Sequence, residues 1–457
     1  MYHTPKSNCF RLHQPRPRFK NDMEDVLGYV SFAVSEIDKE DPREFKKRLD
    51  DALRGFKGNA LSTPKTIANW RTEISSLFGF FIEESDITYA TDIARSLSSD
   101  LDFVRFFRQF VSFFQYPGGH LKSHEILKIV DAGISFHPCR WLAQFILYQE
   151  EIKDTPAKIS DLEFCHCVLN DLRVTKGLES IQDTYKRINR NRRSSVEYDS
   201  TGDVVRYAKD IMDYMEWARL FSKDNDRYYY PRKDGRTFLE KLAQSKHFFK
   251  LYERCSANEE VSNLRPKWFE YTTMIGMKFV GEDVTVPIGD EIISQQLTFL
   301  GKKGKGLPAH TKKIGDAGEA LALVHEKLRI KKEGRSDLQH LINLIPNVLA
   351  VGYDIQSVEV DESKRYVEVK SSISRSSLTF QRFHLTTNEW VAAETLGERY
   401  YIYRLQITDQ AGKQLFLIRD PVGKYKQSLL KMVPRDGADI IFNDNCGTFE
   451  DLLEWKN

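Results

Sequence analysis

The stretch GKKGKGLPAHTKK at 301–313 does most to limit what this chain can fold into. Three glycines, a proline and five lysines in thirteen residues suit neither a helix interior nor a buried strand, so the segment reads as a linker. Its lysines also suit tracking along a nucleic-acid backbone. The texture differs on its two sides. Before it, apolar residues recur mainly at helical spacing; after it come a helix, strands, a helix and strands, the pattern of a separate α/β domain. The chain must therefore build at least two cores. Its 457 residues, 41 % of them apolar, allow two to four domains.

Residues 1–150 read as a helical domain with an expected helix-turn-helix for DNA recognition. Its first 20 residues, with HQPRPRFK, read as a basic arm or disordered tail. In STPKTIANWRTEISSLFGF, Thr63 can cap, Pro64 takes the first helical position, and Ile67, Trp70, Ile74 and Leu77 recur at helical spacing until Gly79. The opposite face shows Lys65, Asn69, Thr72 and Ser76, and of these Lys65 and Asn69 are candidate DNA contacts. The phenylalanines of LDFVRFFRQFVSFFQYPGG read as core, since stacking platforms usually lie on strands or loops beside basic residues.

Residues 151–256 run helix, helix, basic hairpin, the order of a winged helix-turn-helix. Between the helices, YKRINRNRRSS carries Lys186, Arg187, Arg190, Arg192 and Arg193, residue types suited to phosphates and base edges. The same segment reads equally as a solvated helix end, whose dipole favours cations. Residues 257–313 form a connector with the basic linker, and 314–457 the α/β domain.

Composition narrows the function less. With 68 Lys+Arg against 66 Asp+Glu, the formal charge is only +2, so a nucleic-acid surface would have to come from local clustering. Six scattered cysteines lack structural-zinc spacing, and Cys165-His166-Cys167 reads as buried thiols within a helix. Neither a leader peptide nor a membrane-length apolar run is visible. A reduced cytoplasmic setting, bacterial or archaeal, is expected.

The chemistry concentrates in GYDIQSVEVDESKRYVEVKSS, 352–372. Strand alternation puts Tyr366, Glu368 and Lys370 on one face and Val367 and Val369 on the other. A turn at Asp361–Lys364 lets the strand after Asp354 pair antiparallel with this one and bring Asp354 opposite Glu368. Two carboxylates can hold a hard divalent cation. A neighbouring ammonium can orient water or offset charge developing on a phosphate, a combination suited to phosphodiester hydrolysis. Glu319, in the first turn of the helix expected at 316–329, is a third acid, though such an acid also suits the helix dipole. The expected packing stripe of that helix is Ala320, Val324 and Leu328, with Gly315 and Gly318 allowing close approach. In TTNEW, Thr386 and Glu389 match a capping box, Asn388 is a candidate DNA contact and Trp390 reads as core.

The ordered set G-x-x-G-E, G-Y-D-I, E-V-K and FHLTTNEWVAAETLGERYYIYRL, over about 310–410, resembles the PD-(D/E)XK nuclease superfamily. More narrowly it resembles the nuclease-like domain named after the plant protein NO VEIN, also seen at the C-termini of bacterial restriction endonucleases. The resemblance implies Asp354 and Glu368 as metal ligands, Lys370 as the catalytic lysine, Glu319 as a further acidic site residue, and Mg²⁺ as cofactor. Tyr353 stands where the superfamily name has proline. The N-terminal two thirds resemble the recognition regions of type II restriction enzymes with a separate cleavage domain, in particular the type IIS kind with winged-helix modules.

The implied whole is a multidomain protein. An α-helical and winged-helix region recognises double-stranded DNA, and a C-terminal α/β PD-(D/E)XK, restriction-endonuclease-like domain cuts it. One set of site residues is present, so cutting both strands implies a homodimer on DNA or sequential nicking. Two alternatives stand beside this: a nuclease for modified or branched DNA, and a non-catalytic DNA-binding regulator, against which the intact Asp354/Glu368/Lys370 set counts. A protein-interaction role for the aromatic helices would need exposed apolar patches.

Overall fold

Apolar side chains three and four residues apart make the first part of the chain helical. The computed structural model describes residues 2–15, 23–56, 59, 62–84, 86–152, 156–281, 314–346, 351–375, 381–408, 412–434 and 437–454, so the linker expected at 301–313 lies outside the described residues. The chain divides into a unit of residues 1–98 with 103–283 and a unit of residues 99–102 with 284–457.

In the first unit, α1 (Met23–Ser35), α2 (Pro42–Arg54) and α3 (Pro64–Phe78) lead into an antiparallel hairpin, β1 (Phe81–Glu84) and β2 (Ile87–Ala90). α3 starts where the sequence predicts: the Thr63 hydroxyl accepts a hydrogen bond from the Thr66 amide at 3.2 Å. It stops at Gly79, whose φ of +68° suits glycine. Ile67, Ile74 and Leu77 are buried. α4 (Asp92–Asp100) precedes α5 (Phe103–Phe113), whose five phenylalanines are all buried. The Phe110 ring centroid lies 5.0 Å from Phe78 and 5.1 Å from Tyr214, so the aromatic run is core. Burying each such ring contributes about 1.5–3 kcal/mol.

After α6 (Ser123–Asp131) and α7 (Pro138–Ile152) come β3 (Ile159–Ser160), α8 (Asp161–Phe164), a π-helical turn at Cys165–Leu169 and α9 (Leu172–Thr175). Then follow α10 (Ile181–Arg193), α11 (Asp203–Trp217), β4 (Phe221–Lys223), β5 (Tyr228–Pro231), α12 (Arg236–Gln244), α13 (Asn258–Asn263) and α14 (Arg265–Gly281). The small antiparallel sheet has the order β3-β5-β4. Three expectations change here. KISDLEF, read from the sequence as the start of this unit's first helix, begins as a strand, because Ile159 and Ser160 pair with Tyr229 and Tyr228; Ser160 then caps α8 by accepting from the Glu163 amide at 3.1 Å. The basic segment expected between helices forms the last turns of α10 itself. The described part of the arm, 2–15, is tied down: the Phe10 amide donates to Asn170 O at 3.0 Å and the Thr4 hydroxyl to His166 O at 2.6 Å. Cys165 and Cys167 are buried, as expected.

The second unit opens with α15 (Ile314–Lys332), followed by β6 (Asn343–Leu344), β7 (Ile355–Val358), β8 (Lys364–Ser374), β9 (Arg382–Thr386) and α16 (Thr387–Leu396). β10 (Tyr400–Thr408), β11 (Gly412–Arg419), α17 (Pro421–Lys426), β12 (Leu430–Pro434), β13 (Gly437–Phe442) and β14 (Thr448–Glu450) complete it. The main sheet has the order β14-β11-β10-β8-β7-β6, with β8 and β10 parallel and the other pairs antiparallel. A second sheet, β12-β13-β9, and α16 cover one face around Ile402, Phe416 and Leu385. α15 covers the other face, around Val367, Val369 and Tyr403. The expected stripe of α15 is too narrow: residues 320–326 are all buried, while Leu328 is only half-buried.

One of those buried residues is charged. Glu326 accepts from Arg329 Nη2 at 2.9 Å, the Ser357 hydroxyl at 2.6 Å and the Tyr403 hydroxyl at 2.5 Å. Burial alone would raise its carboxyl, but the Arg365 and Arg329 charges and the Ser357 hydrogen bond outweigh it and hold the group at about 2. Glu326→Ala takes the fully buried acid from Arg329 and Arg365, leaving them the more exposed Glu333 and Glu359, and is expected to cost about 3–5 kcal/mol, read by guanidinium-chloride unfolding of the full chain. Because the folded value is depressed, this carboxylate's contribution is fully present above its unfolded value of about 4.3. It should fade as pH falls toward 2 in the native chain and be absent from the variant's pH–stability curve.

Candidate active site

The β7–β8 hairpin positions the central acids. Its register pairs Ile355 with Val367, so Asp354, one residue before β7, stands opposite Glu368, and the Asp354 amide donates to Val367 O at 2.9 Å. Opposed residues of an antiparallel pair project from the same face. The turn between the strands is closed by Glu359 N to Ser363 O at 2.8 Å. Asp361 accepts from the Ser363 amide at 3.0 Å and from its hydroxyl at 2.6 Å, a local Asx arrangement.

Asp354 Oδ2 accepts from the Val369 amide at 2.8 Å, which fixes its carboxylate across the middle of the E-V-K run. Lys370 Nζ lies 2.7 Å from Glu368 Oε1 and 2.7 Å from Glu389 Oε2. Asp354 and Glu389 also lie close enough to Glu368 for their negative charges to push its carboxyl up. Three carboxylates and one ammonium thus share a largely buried place at the strand centre. Burial pushes the Asp354 and Glu368 carboxyls up, Glu368 far above the ordinary range, against the pull of Lys370. Burial would lower Lys370, but Glu368 and Glu389 hold its ammonium well above the usual lysine value.

Glu389 is the acid that sequence reasoning left out of the site. Its signal was the capping box: Glu389 Oε2 accepts from the Thr386 amide at 3.0 Å, and the Thr386 hydroxyl accepts from the Glu389 amide. The same oxygen that caps α16 also meets Lys370. Gly352, at φ +82°, lets the chain before Asp354 press on α16; a Cβ there would collide with Asn388 O. Asn388 itself is exposed in the first turn of α16, and Trp390 is half-buried against the core.

Glu319 is half-buried near the start of α15. A Cβ on neighbouring Gly318 would collide with Ser371 Oγ, so this turn of α15 abuts the strand position that follows Lys370. Among the described residues, no three His, Cys, Asp or Glu side chains surround one point as a ready-made metal cage. A divalent cation suits the site through its donor chemistry. The donors are hard carboxylate oxygens, and they outnumber the single ammonium buried with them.

In the helical unit the five expected cations of α10 separate into two groups. Arg187 donates to Glu179 Oε1 at 3.0 Å and Cys167 O at 2.9 Å and lies 3.3 Å from Asp171. Arg192 grips Glu163 through bonds of 2.7 and 2.8 Å and donates to Lys158 O at 2.8 Å. Both side chains, expected as DNA contacts, are taken up by internal partners. Lys186, Arg190 and Arg193 are exposed, and their spacing of four and three residues aligns them on one side of the helix. On α3, Lys65 is exposed and Asn69 half-exposed, four residues apart.

Comparison with known families places the larger part of this chain among restriction endonucleases. Residues 2–269 match the family described as "Restriction endonuclease BpuJI - N terminal", more than half of the chain, and the chain belongs to that family. Residues 318–418 match the family "Protein NO VEIN, C-terminal". Among solved structures, the BpuJ1 endonuclease binding domain in complex with pyrene- and phenanthrene-modified DNA has the same fold over 58 % of this chain and 98 % of its own length. The two share 22 % identity at a TM-score of 0.54. A search of curated protein sequences gave no match. No described helix is long and apolar enough to cross a membrane.

The division within α10 is measurable. Arg192→Ala leaves Glu163 buried without its guanidinium and should cost about 3–5 kcal/mol in urea unfolding. Arg190→Ala, on the exposed side, should leave the unfolding midpoint within error of the native chain.

Proposed function

We propose that this protein is a site-specific DNA endonuclease of the restriction type, with a recognition part in the helical unit and a PD-(D/E)XK cleavage domain in the sheet unit. The observation that carries the reading is the meeting of Asp354, Glu368 and Lys370 on one face of the β7–β8 hairpin. Asp354 and Glu368 are the residues that would hold Mg²⁺. When bound, the ion would supply Lewis-acid polarisation of the scissile phosphate and offset the carboxylates' repulsion of DNA. Lys370 stays protonated between carboxylates and presents a cation where charge accumulates on the phosphate in the transition state. The Val369 amide holds Asp354 in the orientation the site needs.

Topology supports the recognition reading. α2 and α3 are followed by the β1–β2 hairpin; α10 and α11 are followed by the β4–β5 hairpin, with β3 added beside β5. Both are the helix, helix, wing order of winged-helix modules. Lys186, Arg190 and Arg193 would contact phosphates, and Lys65, Asn69 and Asn388 remain candidate contacts. A homodimer on DNA would supply the second active site needed to cut both strands.

Plasmid digestion with sequencing of the ends, on methylated and unmethylated substrate, tests the activity directly. Asp354→Ala and Lys370→Ala should abolish Mg²⁺-dependent cleavage while specific binding in EDTA or Ca²⁺ persists; near-native cutting by either variant would remove these residues from the site. Replacing Lys186, Arg190 and Arg193 together with alanine should weaken binding to all sequences. It should also flatten the slope of log affinity against log salt by roughly 2.7, about 0.9 for each phosphate that is no longer neutralised.

A further inference from the structure

We propose that Glu389 is a positioning residue for Lys370, fixing the ammonium in the site as well as capping α16. The inference rests on the nuclease reading and adds to it the residue that aims the lysine. Lys370 Nζ has three N–H bonds to give. Glu368 Oε1 and Glu389 Oε2, each at 2.7 Å, take two of them from two directions. A flexible four-carbon side chain is thereby held at both flanks, and its third N–H is left for the group that binds in front of the strand. With Glu368 alone, the ammonium could swing about one carboxylate.

The capping geometry is what makes Glu389 fit for this task. Its Oε2 accepts from the Thr386 amide at 3.0 Å, so the carboxylate is pinned to the backbone at the start of α16 and cannot follow a moving lysine. The helix start is itself set against the other strand of the site, where Gly352 approaches Asn388 O. Glu389 therefore ties Lys370 to the same rigid frame that carries Asp354. An acid serving only the cap would need no lysine at its oxygen, and only 16 % of the Glu389 side chain remains exposed.

Glutamine separates the two tasks, because Gln serves at the third position of a capping box as Glu does but offers Lys370 no charge. The full-length E389Q chain should melt within error of the native chain and bind its DNA site in Ca²⁺ with unchanged affinity. Its kcat in Mg²⁺ should fall by roughly 10- to 100-fold with KM unchanged, the size expected when a reacting group is misplaced by about 1 Å. As a readout independent of cleavage, acylation of Lys370 by an amine-reactive reagent, followed by peptide mass spectrometry, should be faster in E389Q than in the native chain. Native cleavage and native labelling in E389Q, with D354A inactive, would overturn the role of Glu389 while leaving the nuclease reading standing. Native cleavage by E389Q and D354A alike would overturn both.

Discussion

One strand has to satisfy two faces that want opposite things. On β8, Val367 and Val369 enter an apolar core beneath α15, while Glu368 and Lys370, alternating with them, are forced into the layer beneath α16 and the second sheet. A buried charge costs several kcal/mol unless it is paired and hydrogen-bonded. Everything around the strand answers that cost. The Val369 amide goes to Asp354, Lys370 is shared between two glutamates, and the capping oxygen of α16 is one of its acceptors. The pairings of the hairpin, the helix start and the lysine thus support one another. Displacing any one removes a contact that holds the others in place.

The same demand for partners separates structure from surface in the helical unit. A run of five cations looks uniform when read along the chain, yet burial divides it by helix face. Arg187 turns inward to Glu179 and Asp171, acids it shares with Arg173, and Arg192 turns inward to Glu163; Lys186, Arg190 and Arg193 turn out. Bidentate arginine pairs at buried acids act as internal struts. The net +2 of the whole chain is then misleading in both directions. On α10 part of the positive charge is neutralised internally, and Lys186, Arg190 and Arg193 line one exposed side.

How much of this was legible in the sequence depended on whether partners lay close along the chain. The β7–β8 register was readable because alternation and a polar turn fix it locally, and the structure pairs Ile355 with Val367 as that reading requires. The core role of α5 was readable because its aromatics outnumber any polar face. The strand at Ile159–Ser160 was hidden, since its partner Tyr228–Tyr229 lies about seventy residues on and its own stretch is rich in helix formers. The pairing of Arg192 with Glu163, twenty-nine residues apart, was equally invisible. Glu389 was visible with a sufficient explanation already attached. Its spacing from Thr386 accounts for a cap, and nothing in one dimension says that the capping oxygen has a second donor.

That double use has a physical logic. A carboxylate placed by a cap is among the more rigid groups a protein can offer, because its backbone, its helix and its oxygen are all fixed by one short loop. A lysine is the opposite, a charge on a long and mobile stem. Pairing the two transfers the order of the helix start to the ammonium without a further buried group. The cluster remains short of positive charge, with three acids meeting one lysine, and burial drives the Glu368 carboxyl upward accordingly. On the proposed nuclease reading, that imbalance is what a divalent cation would offset in front of β8, a strand whose other face is ordinary valine core.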